Sequence, residues 1–169
     1  MTIEPGDVAP DFEQDTTNGM LRFYDWTQGR WSLLFSHAGD DAPFCASELA
    51  EVAGLKAQWD ARGVKPVGLS LEDAERQHRR ECEIAARGRS VNFPMIADTD
   101  HAVAALYGMS ACPAARRLRA HHTFIIDSAR QVRAVMLHSP AIARNFVEIL
   151  RMTAALQEAD GGPRCGRAV

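Results

Sequence analysis

Cys45 is the residue of this 169-residue chain best placed to act as a nucleophile. It lies in the run Phe35-Ser36-His37-Ala38-Gly39-Asp40-Asp41-Ala42-Pro43-Phe44-Cys45-Ala46-Ser47-Glu48. An apolar segment with the pattern of a buried strand feeds a short loop, then Pro43, then the thiol, then a helical pattern. A cysteine in the first turn of a helix meets unpaired backbone N–H groups and the positive end of the helix dipole, which favour a thiolate over a thiol. The chemistry on offer is attack by sulfur on an electrophile. The other thiols are Cys82, Cys112 and Cys165. No two of the four make a Cys-x-x-Cys, and none has zinc-finger spacing to a His or Cys. The pattern therefore disfavours a thioredoxin-type disulfide exchanger and gives no metal site. Cys82 falls mid-helix and reads as structural, and Cys112 precedes Pro113 in a loop. Cys165 sits in the basic tail Arg164-Cys165-Gly166-Arg167, a setting that also favours a thiolate.

Composition bounds what such a thiol could serve. One domain fits the length, and 46% hydrophobic residues suffice for a core. A net charge of -3 gives no footprint for nucleic acid or an anionic membrane. No apolar run approaches the ~20 residues of a membrane helix, and the start Met-Thr-Ile-Glu-Pro-Gly-Asp lacks a signal-peptide pattern. A cytoplasmic protein is expected, with scattered cysteines rather than a disulfide framework.

The elements that must position Cys45 follow from periodicity. Residues to about Arg30 carry turn signals, with Val8 to Phe12 an extended edge piece because of Pro10. Trp31 to Ser36 reads as a buried strand. A helix is expected from Pro43 to Ala61, with Leu49, Val52, Ala53 and Trp59 on one face and Gly63 as its stop. A second strand spans Val64 to Leu71, a charged helix Glu72 to Arg87, an extended segment Phe93 to Ala97 and a short helix His101 to Tyr107. His121 to Asp127 and Val132 to His138 read as a hairpin around Ser128 to Gln131. A last helix is expected from about Pro140 to Ala159, with Ser139 as N-cap. The order predicts an α/β fold: a mixed central sheet with helices on both faces. In such sheets the carboxyl ends of strands host sites, and Cys45 follows one. The expected domain is a single one over 1–169, with 160–169 a flexible tail.

The chain resembles the peroxiredoxins, and most of all their one-cysteine branch. The resemblance is carried by Pro5-Gly6-Asp7-Val8-Ala9-Pro10-Asp11-Phe12, Leu34-Phe35-Ser36-His37, Pro43-Phe44-Cys45, Glu48-Leu49 and Phe93-Pro94-Met95-Ile96-Ala97-Asp98. Tyr107-Gly108-Met109, Phe124-Ile125-Ile126-Asp127 and Arg144-Asn145-Phe146-Val147-Glu148-Ile149-Leu150-Arg151 complete it. It implies a thioredoxin-like fold, a hydroperoxide substrate and no cofactor. It also implies that Cys45 is the peroxidatic thiol, passing through a sulfenic acid. The reductant would be a second thiol, from a thioredoxin-, glutaredoxin- or glutathione-like partner or from Cys165 as a resolving cysteine. A homodimer is implied too. One-cysteine members usually continue into a further segment that embraces the partner subunit, and this chain stops at Val169.

The same resemblance assigns His37, Glu48 and Arg144 to the site and marks three departures from the family pattern, the first being Ala38 where a proline belongs. Ala42 stands where a threonine hydroxyl bonds thiolate and peroxide, in the loop that ends at Pro43. Losing one preorganised donor of this kind costs about 2.7–4 kcal/mol. His121 stands where the family has an arginine, and an imidazole is a poorer thiolate partner than a permanent cation. His121 and His122 face opposite ways on a strand, so only one of them can line a given pocket. Arg119 is a possible compensating cation if its strand reaches back that far. On a helix, Arg144 could instead pair with Glu148 one turn later. A thiol-dependent peroxidase is expected. The alternative is a catalytically impaired relative serving as a thiol sensor or binding partner.

Overall fold

The computed structural model describes residues 2–37, 45–86, 88, 90–109, 111–112, 117–118 and 120–161, with backbone alone for Cys45, Ala86, Ala111, Cys112 and Arg117. In chain order the elements are β1 (Glu13–Gln14), β2 (Leu21–Arg22), α1 (Phe23–Thr27), β3 (Trp31–Ser36), α2 (Cys45–Gly54), α3 (Lys56–Ala61) and β4 (Val64–Ser70). They continue with α4 (Ala74–Ala86), β5 (Met95–Ala97), α5 (Ala102–Leu106), β6 (Ala111–Cys112), β7 (Arg117–Leu118), β8 (His121–Ile126), β9 (Val132–His138) and α6 (Phe146–Gly161). The central sheet has the order β5-β4-β3-β8-β9. β3 pairs in parallel with β4, and β4 with β5, whereas β8 runs antiparallel to both β3 and β9. The mixed sheet expected from the sequence is present.

Strands buried on both faces need apolar residues at consecutive positions, not alternate ones. β3 meets that demand: Leu33, Leu34 and Phe35 are all fully buried. Leu34, Val67, Leu69, Phe124 and Ile126 pack on one face against α1 and α5 through Phe23, Val103 and Ala104. Leu33, Phe35 and Ile125 pack on the other, beneath Leu49 and Val52 of α2, Trp59 of α3, Ile84 of α4, and Phe146 and Ile149 of α6. Helices therefore cover both faces. Phe35 anchors the second, with Phe93 and Phe146 edge-on at 5.6 and 5.2 Å.

Several boundaries differ from expectation for local reasons. The stretch before Arg30 holds the β1–β2 hairpin and α1, where turn signals and an extended edge piece over Val8 to Phe12 were expected. Two-residue strands carry no periodicity, and α1 is held by tertiary contact, Phe23 stacking on Phe12 at 4.9 Å. The expected helix to Ala61 is split at Leu55. The indole of Trp59 donates to the Val52 carbonyl at 3.1 Å, and the Asn92 amide donates to the Ala53 carbonyl at 3.0 Å. Those carbonyls thus find partners outside a continuing helical ladder. The last helix begins at Phe146, not Pro140. Ser139 to Ile142 form a turn instead, closed by Ile142 N–H to the Ser139 carbonyl at 3.0 Å. Asn145 is the cap, its side chain accepting from the Glu148 N–H at 3.0 Å. α6 runs on through Gly161, so helix occupies the first two positions of the expected tail.

Candidate active site

α2 opens at Cys45, placing the thiol-bearing residue where a helix presents its free N–H groups. Glu48 comes one turn later on the same helix, and its side chain is 1% exposed. Its carboxylate accepts from Arg144 three times: Nε to Oε1 at 3.1 Å, Nη2 to Oε2 at 2.8 Å, and the Arg144 backbone N–H to Oε1 at 2.6 Å. Nη1 of the same guanidinium donates to Thr123 Oγ1 at 3.2 Å and to the His122 carbonyl at 3.3 Å. Its plane lies over Phe35 and Phe146, with Cζ at 5.5 and 5.2 Å from the ring centres. One side chain thus ties the start of α2 to the start of β8 and to the loop before α6. The bidentate, fully desolvated pair is the strongest type of charge-assisted contact.

Arg144 is therefore a loop residue, not a helical one, and the alternative partner Glu148 pairs with Arg151 at 2.7 Å. The backbone explains why. The Arg144 N–H is given to Glu48, and the helix starts two residues later at Phe146.

The histidines divide as strand geometry requires. His122 turns to the far face, where it stacks on Phe124 at 6.2 Å with rings nearly parallel. Burial lowers its pKa from the ordinary 6.5. His121 lies on the face of Thr123 and Arg144 and is 0% exposed. Neither of its ring nitrogens has a hydrogen-bond partner. Burial first, then the Arg144 charge, push its pKa down from 6.5 to about 4, against an opposing pull from Glu48. His37 continues β3, donating its N–H to the Leu69 carbonyl at 2.7 Å. Its Nδ1 is 3.5 Å from Arg80 Nη1. Burial, then Arg80, Arg144 and His121, hold it well below its ordinary value. All three rings are neutral at physiological pH.

His37, Glu48, His121 and Arg144 thus come together around the start of α2. Ala42, Pro43, Arg119 and Cys165 lie outside the described residues, as does the side chain of Cys112. β8 begins at His121, directly after a bend at Ala120. Cys82, expected to be structural, is exposed on α4.

Three further residues belong to this neighbourhood. Arg80, paired with Glu72 at 2.8 Å, brings a second guanidinium to His37. Nothing in the charged sequence of α4 distinguishes it from Arg79 or Arg76. Thr123 was legible as the residue two along from His121. His138 was legible too, since closing the hairpin over Ser128–Gln131 sets it opposite His121. Among the described residues no group of three or more His, Cys, Asp or Glu is arranged to hold a metal ion.

Comparison with known proteins bears on this arrangement. The AhpC/TSA family model matches residues 5–135. The chain is 37% identical over 158 residues to 1-Cys peroxiredoxin B of Oryza sativa subsp. indica, covering 89% of this chain and 71% of that one. It is 36% identical over 160 residues to the mitochondrial peroxiredoxin PRX1 of Saccharomyces cerevisiae, covering 90% of this chain and 61% of the relative. The chain thus spans roughly six- to seven-tenths of the length of these relatives. A solved structure of the yeast mitochondrial 1-Cys peroxiredoxin superposes with a TM-score of 0.85 at 33% identity, over 98% of this chain and 84% of that one. The fold is thioredoxin-like, and the chain belongs to the AhpC/TSA family, that of the thiol-dependent peroxidases called peroxiredoxins.

Proposed function

We propose that this chain reduces hydrogen peroxide or small organic hydroperoxides through Cys45. The thiolate attacks the outer peroxide oxygen, the O–O bond breaks, sulfur becomes a sulfenic acid, and an alcohol or water leaves. The observation that carries this reading is the buried Arg144–Glu48 pair beside the first turn of α2. Helix-start N–H groups favour the anionic sulfur. Arg144 fixes that turn against β8 and adds a nearby positive charge, tempered by Glu48. Glu48 orients Arg144 and takes no part in bond making. His37 closes the β3 end of the site.

A thiol from outside the site then reduces the sulfenic acid. In the yeast mitochondrial 1-Cys peroxiredoxin, thiol resolution proceeds via glutathione/thioredoxin systems. We extend that class of reductant to this chain, with Cys165 as the internal candidate. A homodimer, a cytoplasmic setting and a single domain over 1–169 belong to the same proposal. No helix among the described residues is long and apolar enough to cross a membrane. The sensor reading draws support only from Ala42 and His121, whereas the relatives are named as peroxiredoxins.

Stopped-flow measurement of Cys45 oxidation by hydrogen peroxide tests the proposal. A rate well above that of free cysteine, abolished by Cys45→Ser, is expected. A rate equal to free cysteine would sink it.

A further inference from the structure

His121 opens β8 with its ring completely buried, and neither ring nitrogen has a hydrogen-bond partner among the described residues. Thr123, two along on the same face, accepts from Arg144 Nη1 at 3.2 Å. The adjoining His122 carbonyl accepts from the same nitrogen at 3.3 Å. The guanidinium is thus fastened to the strand that carries the ring. Its Nε and Nη2 go to Glu48, one turn into α2. Arg144 is therefore the fastening between β8 and the start of α2, and His121 lies beside it.

Charge counting shows what such a ring can do. The groups facing it are Arg144 of the loop before α6, Glu48 of α2, His138 of β9 and the adjacent His122. His37, at the end of β3, adds another neutral ring, and beyond it Arg80 of α4 pairs with Glu72. Glu51, further along α2, accepts from the Phe146 N–H. The fastening sets one guanidinium against one carboxylate, and it is balanced only while His121 is neutral. A proton on the ring puts a second cation beside Arg144, while both oxygens of Glu48 are already engaged by Arg144. Like charges out of water repel with little screening. Relief comes when Arg144 and the α2 turn lift from β8 and the ring meets solvent.

We propose that His121 is an acid latch: its protonation drives Arg144 and the first turn of α2 away from β8, opening the Cys45 end of the sheet while the opposite face stays packed. Complete burial does not bar this. The opened form takes up the proton and is held open by it. The functional consequence, slower peroxide reduction in acid, rests on the peroxidase reading above. The opening itself does not.

Linkage sets the size of the effect. The ring has its ordinary 6.5 in the opened form and about 4 in the closed one, so going from about pH 7.5 to about pH 5 should raise the open population about 30-fold. Carbon-13 saturation-transfer NMR reads such a minor state. The rise is expected at the methyl groups of Leu49 and Thr123, and not at those of Leu34 and Val103, which pack on the other face. In the minor state the His121 ring carbons should carry the shifts of a protonated imidazole, a reading that needs no variant. His121→Gln should abolish the rise. An equal rise at Leu34 and Val103 would mean unfolding of the whole molecule and would overturn the latch. So would no rise at all, a neutral His121 in the minor state, or the same rise in His121→Gln. If wild-type Cys45 reacted with hydrogen peroxide no faster than free cysteine at pH 7.5, the peroxidase reading would fall, while the NMR result would still decide the latch.

Discussion

Glu48 is the side chain on which the charge balance of the site turns. Its two oxygens accept three donors from Arg144, and both residues are out of water. Breaking a buried pair by removing one charge leaves the other uncompensated, which costs about 3–5 kcal/mol. Glu48→Gln should therefore lower the free energy of unfolding by about that amount in urea titration. A loss under about 1 kcal/mol would show that the pair is solvated. The individual participants were legible to different degrees. Glu48, His37 and Arg144 lie in segments that resemble the peroxiredoxins, and that resemblance assigns them to the site. Their joining was not legible, because the contact spans 96 positions between Glu48 and Arg144. Arg80 was invisible for a different reason. Its partner His37 is 43 positions away, and its own helix is charged throughout.

Among the elements, strands were read more closely than helices. β3, β4 and β9 are dictated by runs of apolar or β-branched residues that suit a doubly buried or edge strand, and their ends fall where those runs end. Helix ends depend on where each terminal carbonyl or N–H finds a partner, and here those partners come from elsewhere in the chain. Trp59 and Asn92 divide α2 from α3. Ser139-Pro140 has the composition of a helix start, yet the start is Asn145, with Glu148 three residues on. Asn145→Ala should therefore cost about 1 kcal/mol, the usual value of an N-cap. Ser139→Ala should cost much less, since its hydroxyl caps only a turn. Thermal melts of the two variants check the assignment, and equal losses would contradict it.

For the molecule as a whole, the buried histidines set the response to acid. The ordinary value of 6.5 applies to His121 in the unfolded chain, against about 4 in the native protein. Between these values the unfolded state binds a proton that the native state refuses, so stability rises with pH through this window. The contribution is fully present above 6.5 and is lost as pH falls to about 4. His37 and His122 shift in the same direction. Asp98 opposes them: burial raises its carboxyl, so it favours the native state as pH falls. The urea midpoint should drop steadily from pH 6.5 towards pH 4, and His121→Gln should flatten that drop. An unchanged slope would mean that His121 is protonated in the native protein. Fold class was legible at this scale because a mixed sheet follows from element order alone. The acid response was not, since burial of an imidazole is a property of the packed molecule.

The Arg144 backbone N–H, held by Glu48 at 2.6 Å, carries a consequence for observation. That hydrogen is locked only while α2 keeps its first turn against the β8 end of the sheet. Its exchange with solvent deuterium is then a clock for opening of the Cys45 neighbourhood, read at an atom that takes no part in the chemistry. In the reduced protein this amide should exchange far more slowly than those of the preceding turn at Ala141 and Ile142. Faster exchange once Cys45 is oxidised would time how soon the sulfenic acid becomes reachable by a reducing thiol.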